Sequence, residues 1–227
     1  MFTWATAGWS WVTANAAVLS ALASVGMLLI WGVYLQLLLH NFRAQRRPQI
    51  IINRGRGSDI NALCLISNMS SEAVFIETLF ARLDTSKGCW MSDITDVLDH
   101  QDNQSCRGGE RDSATLSDVT RQGPMNAGGY MEAGVFHSLV QQIAREQGIT
   151  LDEKFCATDS ELELRSLEVG VIAIFGNESG PIGAVRKFNI EWDEKNGIRL
   201  KPDSRITHQL RGAKGRREVK RLQKALS

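Results

Sequence analysis

The sequence predicts a mainly β protein: a β-sandwich carrying one inserted helix, preceded by a single transmembrane helix. Three observations lead there. Residues 16–39 form an apolar run without a single charge. Residues 167–192 alternate apolar and polar positions on both sides of a Gly/Asn turn, the period of strands with one face inside. Residues 135–147 place apolar side chains at helical spacing instead.

The apolar run, AAVLSALASVGMLLIWGVYLQLLL, has 24 residues. At about 1.5 Å rise per residue it is long enough to cross a hydrocarbon layer about 30 Å thick. Trp4, Trp9 and Trp11 precede it, Trp31 and Tyr34 lie toward its far end, and Gln36 and His40 follow. Aromatic side chains with a polar edge favour the lipid–water boundary. A cleaved signal peptide is not expected: the segment before the run has no basic side chain, and the run passes straight into arginines. Ala17, Ala21 and Ser24 repeat at i, i+4 and i+7, with Ser20 beside them, making a face of small residues on which two membrane helices can pack closely.

Charge is partitioned along the chain. Residues 1–42 have no Lys, Arg, Asp or Glu, and residues 43–56 carry five arginines and no acid. Residues 57–210 hold 14 basic and 24 acidic side chains, a net of −10, and residues 211–227 hold seven basic side chains and one acid. Positive flanks stay on the cytoplasmic side, so Arg43, Arg46 and Arg47 predict the topology. The expectation is a short outer N-terminus (1–15), a membrane helix (16–39), a basic collar (40–56), a cytoplasmic β domain (57–210) and a basic tail (211–227). In a bacterium this is the inner membrane.

Within the domain, Gln49–Asn53 is a β-branched run and residues 60–68 alternate as a buried strand. Asn68–Ser71 reads as a polar turn into a second β run at 73–83, so these two strands are expected to form a hairpin. Leu167, Val169, Val171, Ala173 and Phe175 alternate, the turn Gly176–Gly180 follows, and Ile182, Ala184, Arg186, Phe188, Ile190 and Trp192 alternate again, a second hairpin. The glycine-rich turn lacks the lysine and following helix of a phosphate loop. Val135, Phe136, Leu139, Val140 and Ile143 line one face of a helix that Gly148 stops. Residues 84–133 are polar and glycine-rich, with one strand expected near 114–120. Two packed sheets of this kind resemble immunoglobulin-like domains at the level of fold, without a Cys…Trp…Cys framework.

Chemistry is sparse. Cys64, Cys89, Cys106 and Cys156 have no C-x-x-C spacing and are expected as reduced thiols, Cys64 within a strand. Asp93, Asp96 and His100 are the candidate metal ligands, since they share a face if the segment is helical and combine carboxylate with imidazole. The four histidines are scattered, with no G-x-S-x-G, H-E-x-x-H or P-loop, and no motif calls for a cofactor. Asn68-Met69-Ser70 and Asn177-Glu178-Ser179 match glycosylation sequons that a cytoplasmic domain leaves unused.

In the tail, Val219, Leu222 and Leu226 fall on one helical face among Arg216, Arg217, Lys220, Arg221 and Lys224. The tail reads first as a disordered solubilising segment; as a basic amphipathic helix it would suit an anionic membrane surface, or dock on the acidic body of its own domain. A nucleic acid is not expected, because no aromatic platform accompanies the charge. The expectation is a membrane-anchored, non-catalytic protein whose β domain binds or scaffolds a cytoplasmic protein partner and which self-associates through the helix. The alternatives are a subunit of an oligomeric membrane pore or effector with the β domain as sensor, and a metal-dependent membrane-anchored enzyme.

Overall fold

A computed structural model describes residues 14–45, 47–55, 57–96, 119–151, 162–176, 178, 180–193 and 197–226. The chain divides into two compact units, Met1–Arg47 and Pro48–Ser227.

The first unit is helix α1 (Ala16–Gln45). Its stretch Ala16–Phe42 is long and apolar enough to cross a membrane, and none of it is buried within the protein. Ser20 and Ser24 donate their hydroxyls to the helix's own carbonyls, at Ala17 (3.3 Å) and Ser20 (2.8 Å). These side chains therefore need no water. Trp31 and Tyr34 stack edge to face, 6.1 Å apart.

The second unit is mainly β, with two antiparallel sheets in sandwich-like packing. The smaller sheet has the order β1–β2–β6, from β1 (Ile50–Arg54), β2 (Leu63–Asn68) and β6 (Tyr130–Val135). The seven-stranded sheet runs β10–β8–β7–β3–β4, from β3 (Val74–Thr85), β4 (Gly88–Asp93), β7 (Leu164–Phe175), β8 (Ile182–Asp193) and β10 (His208–Leu210). Two further strands, β5 (Gly123–Met125) and β9 (Gly197–Pro202), pair with β3 and β8. Helix α2 (Phe136–Glu146) follows β6 directly. Helix α3 (Gly212–Leu226) follows β10.

The core lies between the sheets. Ile50, Ile52, Cys64, Ile66 and Ala133 of the small sheet and Phe136, Leu139, Val140 and Ile143 of α2 meet Leu83, Leu167, Val169, Val171 and Phe188 of the large one. Phe136 packs edge to face on Phe188 with ring centres 4.8 Å apart. The β7–β8 hairpin forms as read, with Ala173 opposite Ile182 and Leu167 opposite Phe188, but Trp192 at the end of its alternating run is exposed rather than packed in the core. In β3 the register with β7 shifts between Ile76 and Thr78. This bulge keeps Val74 and Ile76 before it, and Leu79, Ala81 and Leu83 after it, all on the core side.

The expected hairpin at Asn68–Ser71 is not one. β2 pairs with β1 and β6, whereas β3 belongs to the other sheet. The polar turn carries the chain across the sandwich. Asn68 holds this arch: it is fully buried, its amide donates to the carbonyls of Glu72 (2.9 Å), Met125 (3.0 Å) and Asn126 (3.1 Å), and its side-chain oxygen accepts from Ser70 N–H (2.9 Å). A side chain so placed leaves no room for a glycan at the first sequon. Residues 84–133 also hold more strand than expected, in β4, β5 and β6.

The outer edge of β1 is closed by side chains rather than a strand. Thr207 Oγ1 accepts from Ile52 N–H (2.9 Å) and donates to Ile52 O (3.2 Å). Gln209 does the same for Ile50, at 3.2 and 2.6 Å. An edge that would otherwise offer itself to another chain is thereby occupied.

On the outer face of the large sheet, Phe80 lies across Gly170, its register partner on β7. A Cβ added at Gly170 would come within 2.1 Å of the Phe80 ring. We expect Gly170→Ala to destabilise the domain by about 1–3 kcal/mol through this overpacking. Phe80→Leu in the same chain should recover part of the loss, measured by urea unfolding. Simple additivity of the two substitutions would contradict the contact.

Candidate functional site

The charged feature with the most structure around it is the C-terminal helix. In α3 the apolar positions Val219, Leu222 and Leu226 pack with Phe80, Ile172 and Leu210 on the outer face of the large sheet. Val219 is fully buried. The approach is close because it is made by glycines: a Cβ at Gly215 would lie 2.4 Å from the Leu210 carbonyl carbon, and one at Gly183 3.0 Å from Val219. Two polar ties hold one flank. Arg216 pairs with Glu178 (3.6 Å), and Gln223 donates to Glu77 (3.3 Å).

Docking sorts the basic side chains of the tail. Arg216 is half-buried at its acid. Arg217, Lys220, Arg221 and Lys224 are exposed. Along the other flank, α3 and the β3–β4 hairpin bound a cleft of about 720 Å³. Arg82, Lys214, Arg217 and Arg221 line it beside Met91, Leu222 and Cys89, with Glu218 as its acid. Arg82 is paired with Glu168 at 2.5 Å, and Lys187 sits opposite Glu168 on the next strand. Lys214, Arg217 and Arg221 have no ion pair among the described residues, so their charge is available to an anion. Sequence reading finds the tail cations but not Arg82 or Lys187, whose proximity depends on the pairing of β3, β7 and β8.

The cleft cysteine is a poor nucleophile. Partial burial pushes the Cys89 thiol above its ordinary range; Arg82 and Lys187 pull it down, and Asp84 and Glu168 oppose them. Cys64 is completely buried in the core, and burial pushes its thiol up to about 12 against the pull of Arg121 and Arg186. Native protein at about pH 8 should therefore react with maleimide slowly at Cys89 and not at Cys64 until urea is added, read by peptide mass mapping. Unfolding returns Cys64 to an ordinary value of 9.0. Its contribution to stability is thus complete below pH 9.0 and is lost as pH rises toward about 12, by about 1.4 kcal/mol per pH unit. Rapid labelling of Cys64 in the native state would contradict this.

Arg186 is a second feature that the pattern of β8 conceals. It occupies a core-side position, 8 % exposed. Its guanidinium donates to Ile52 O (2.7 Å), Asn53 Oδ1 (3.2 Å), and the carbonyls of Ser204 and Arg205 (both 3.3 Å), with the Phe188 ring 5.7 Å away. Its Nε has no partner among the described residues. Burial and the charge of Arg54 lower its pKa, and the Cys64 thiol opposes them. With four oxygen acceptors and no carboxylate among them, it joins β1 to the loop before β10 and serves structure.

The other sequence candidates fall as follows. Asp93 ends β4 and its carboxylate accepts from Thr95 N–H (2.8 Å). Asp96 bridges to Thr120 in extended backbone. Residues 93–96 are therefore not helical, and no helix face aligns these two carboxylates. His100, Cys106 and Cys156 lie outside the described residues, as do Arg46, most of the expected 114–120 strand, and Asn177 and Ser179 of the second sequon. No group of three metal-ligating side chains occurs among the described residues. Ala17, Ala21 and Ser24 are all exposed along α1. Arg47 is exposed, and α1 continues past Arg43. Comparison with protein-family models, curated proteins and solved structures finds no match to this chain, so its functional reading rests on its own residues.

Proposed function

We propose that the protein is a single-pass membrane-anchored binding protein, with α1 across the bilayer and the β domain on the cytoplasmic side, where it holds a protein partner. The observation that carries this reading is the contrast between the two units. The β domain packs most of its apolar side chains into a core between its sheets and leaves only scattered ones, such as Trp192 and Ile206, exposed. The apolar side chains of α1, such as Leu28 (72 % exposed) and Ile30 (71 % exposed), lie open along the helix. An apolar surface of this extent calls for an apolar solvent. The arginines after it support the orientation.

The two packed sheets support an immunoglobulin-like docking module by analogy. The net charge of −10 over residues 57–210 favours a partner with a basic contact surface. The small-residue face supports self-association as a second feature. Since Ser20 and Ser24 already bond within the helix, this would rest on close packing rather than on hydroxyl pairing.

The test is a pair of C-terminal reporter fusions, one active only in the cytoplasm and one only outside it. The cytoplasmic reporter should be active and the other silent, with the chain retained by membranes after alkaline washing. The converse pattern would invert the topology. Turnover of a substrate by the purified full chain, abolished by one point substitution, would overturn the non-catalytic part.

A further inference from the structure

We infer that the outward face of α3 rests on anionic phospholipid headgroups, and that this contact orients the domain against the membrane to which α1 holds it. The inference builds on the anchored reading above and names a surface for it. An amphipathic helix free to choose would bury its apolar face in lipid. Here that face is occupied by Phe80, Ile172 and Leu210. What α3 offers to the outside is the opposite side: Arg217, Lys220, Arg221 and Lys224, all exposed, with Lys214 and Arg217 continuing to the cleft. Glu218 is the acid of this helix. A rigid helix thus displays a cationic strip about two turns long without surrendering its packing.

Position within the domain favours lipid as the occupant. The chain enters the domain at Pro48, and β1 begins at Ile50. Ile50 is held by both hydrogen bonds to the Gln209 side chain. Gln209 lies on β10, and α3 starts at Gly212. The root of the cationic helix is therefore next to the point at which the domain receives its anchor. Charge adds a direction. The 57–210 segment is net −10 and is repelled by an anionic leaflet, whereas the α3 strip is attracted to one. Attraction at α3 against net repulsion of the preceding segment favours approach through α3. Each basic side chain near such a surface strengthens the contact about fivefold, within a Debye length of about 8 Å.

The test uses the full chain in vesicles of phosphatidylcholine, with or without about one-third phosphatidylglycerol, and lysine acylation read by mass spectrometry. Lys220 and Lys224 report the strip, and Lys201, which is exposed on β9, is the internal reference. On anionic vesicles the strip lysines should react at least about fivefold more slowly relative to Lys201, and recover in about 0.5 M NaCl. Arg217→Glu with Arg221→Glu should abolish the protection while leaving both reporters in place. Equal reactivity on the two vesicle types would overturn the inference and leave the anchored reading standing, because retention after alkaline washing is scored separately. Protection by duplex DNA on neutral vesicles, equal to that by anionic lipid, would overturn it in favour of a general polyanion surface. Loss of the chain from vesicles on alkaline washing would overturn both readings.

Discussion

Leu28→Lys with Leu29→Lys should release the full chain from membranes into the alkaline-soluble or aggregated fraction. The balance is close enough for two residues to decide it. Between Ala16 and Leu39 there are eight leucines, three valines and one isoleucine. At about −0.3 to −0.6 kcal/mol each, these twelve favour insertion by about 4–7 kcal/mol. A lysine near the helix centre costs about 2.5–3.5 kcal/mol, so two cost about 5–7 kcal/mol and also remove two favourable leucines. Leu28 and Leu29 are exposed in mid-helix, far from either end where a long cation could reach headgroups. Both belong to the first unit, outside the core of the β domain, so the domain's urea midpoint should not change. Quantitative retention of the double variant in the alkaline-resistant pellet would argue against a bilayer-spanning α1.

How much of this protein could be read in advance depends on whether a feature is local. The apolar helix, α2 with its stop at Gly148, and the β7–β8 hairpin are all specified by residues close in sequence. Gly148 takes the left-handed conformation, φ +67°, and Ile149 N–H returns to Ala144 O at 2.8 Å. The β2–β3 connection was illegible because a polar turn looks the same whether it folds a strand back or passes it to another sheet. What decides is where Asn68 finds its acceptors, and two of these lie at Met125 and Asn126.

The docking of α3 left a fainter trace. Ile172 is apolar at an outward position of β7, and Gly170 and Gly183 are small where neighbours come close. Such an outer face expects a cover, but nothing local names the helix that provides it. The cleft beside α3 follows the same logic. Its tail cations are visible as a charge run, and Arg82 joins them only through strand pairing.

Asn68→Asp tests the arch at its most demanding point, and its cost should depend on pH. The substitution keeps shape and volume, so packing is preserved. It replaces an amide that donates to three carbonyl oxygens with a carboxylate that faces them, in a fully buried site. At neutral pH the buried charge has only the Ser70 N–H as a partner from the native set. The domain should lose about 4 kcal/mol, the range for a buried charge left without compensation. The same oxygens and burial raise the pKa of the introduced acid above its unfolded value. Protonation then restores one donor. The variant's deficit relative to the native chain should therefore shrink as pH falls from about 7 through the carboxylate range. Asn68→Ala, which leaves the same backbone groups unpaired without adding a charge, should cost about 3 kcal/mol and show no such pH dependence. Urea unfolding of both variants at two pH values separates the cases. Equal, pH-independent losses below about 1 kcal/mol would mean that Asn68 is a turn residue, as its sequence context first reads, and not the hinge between two sheets.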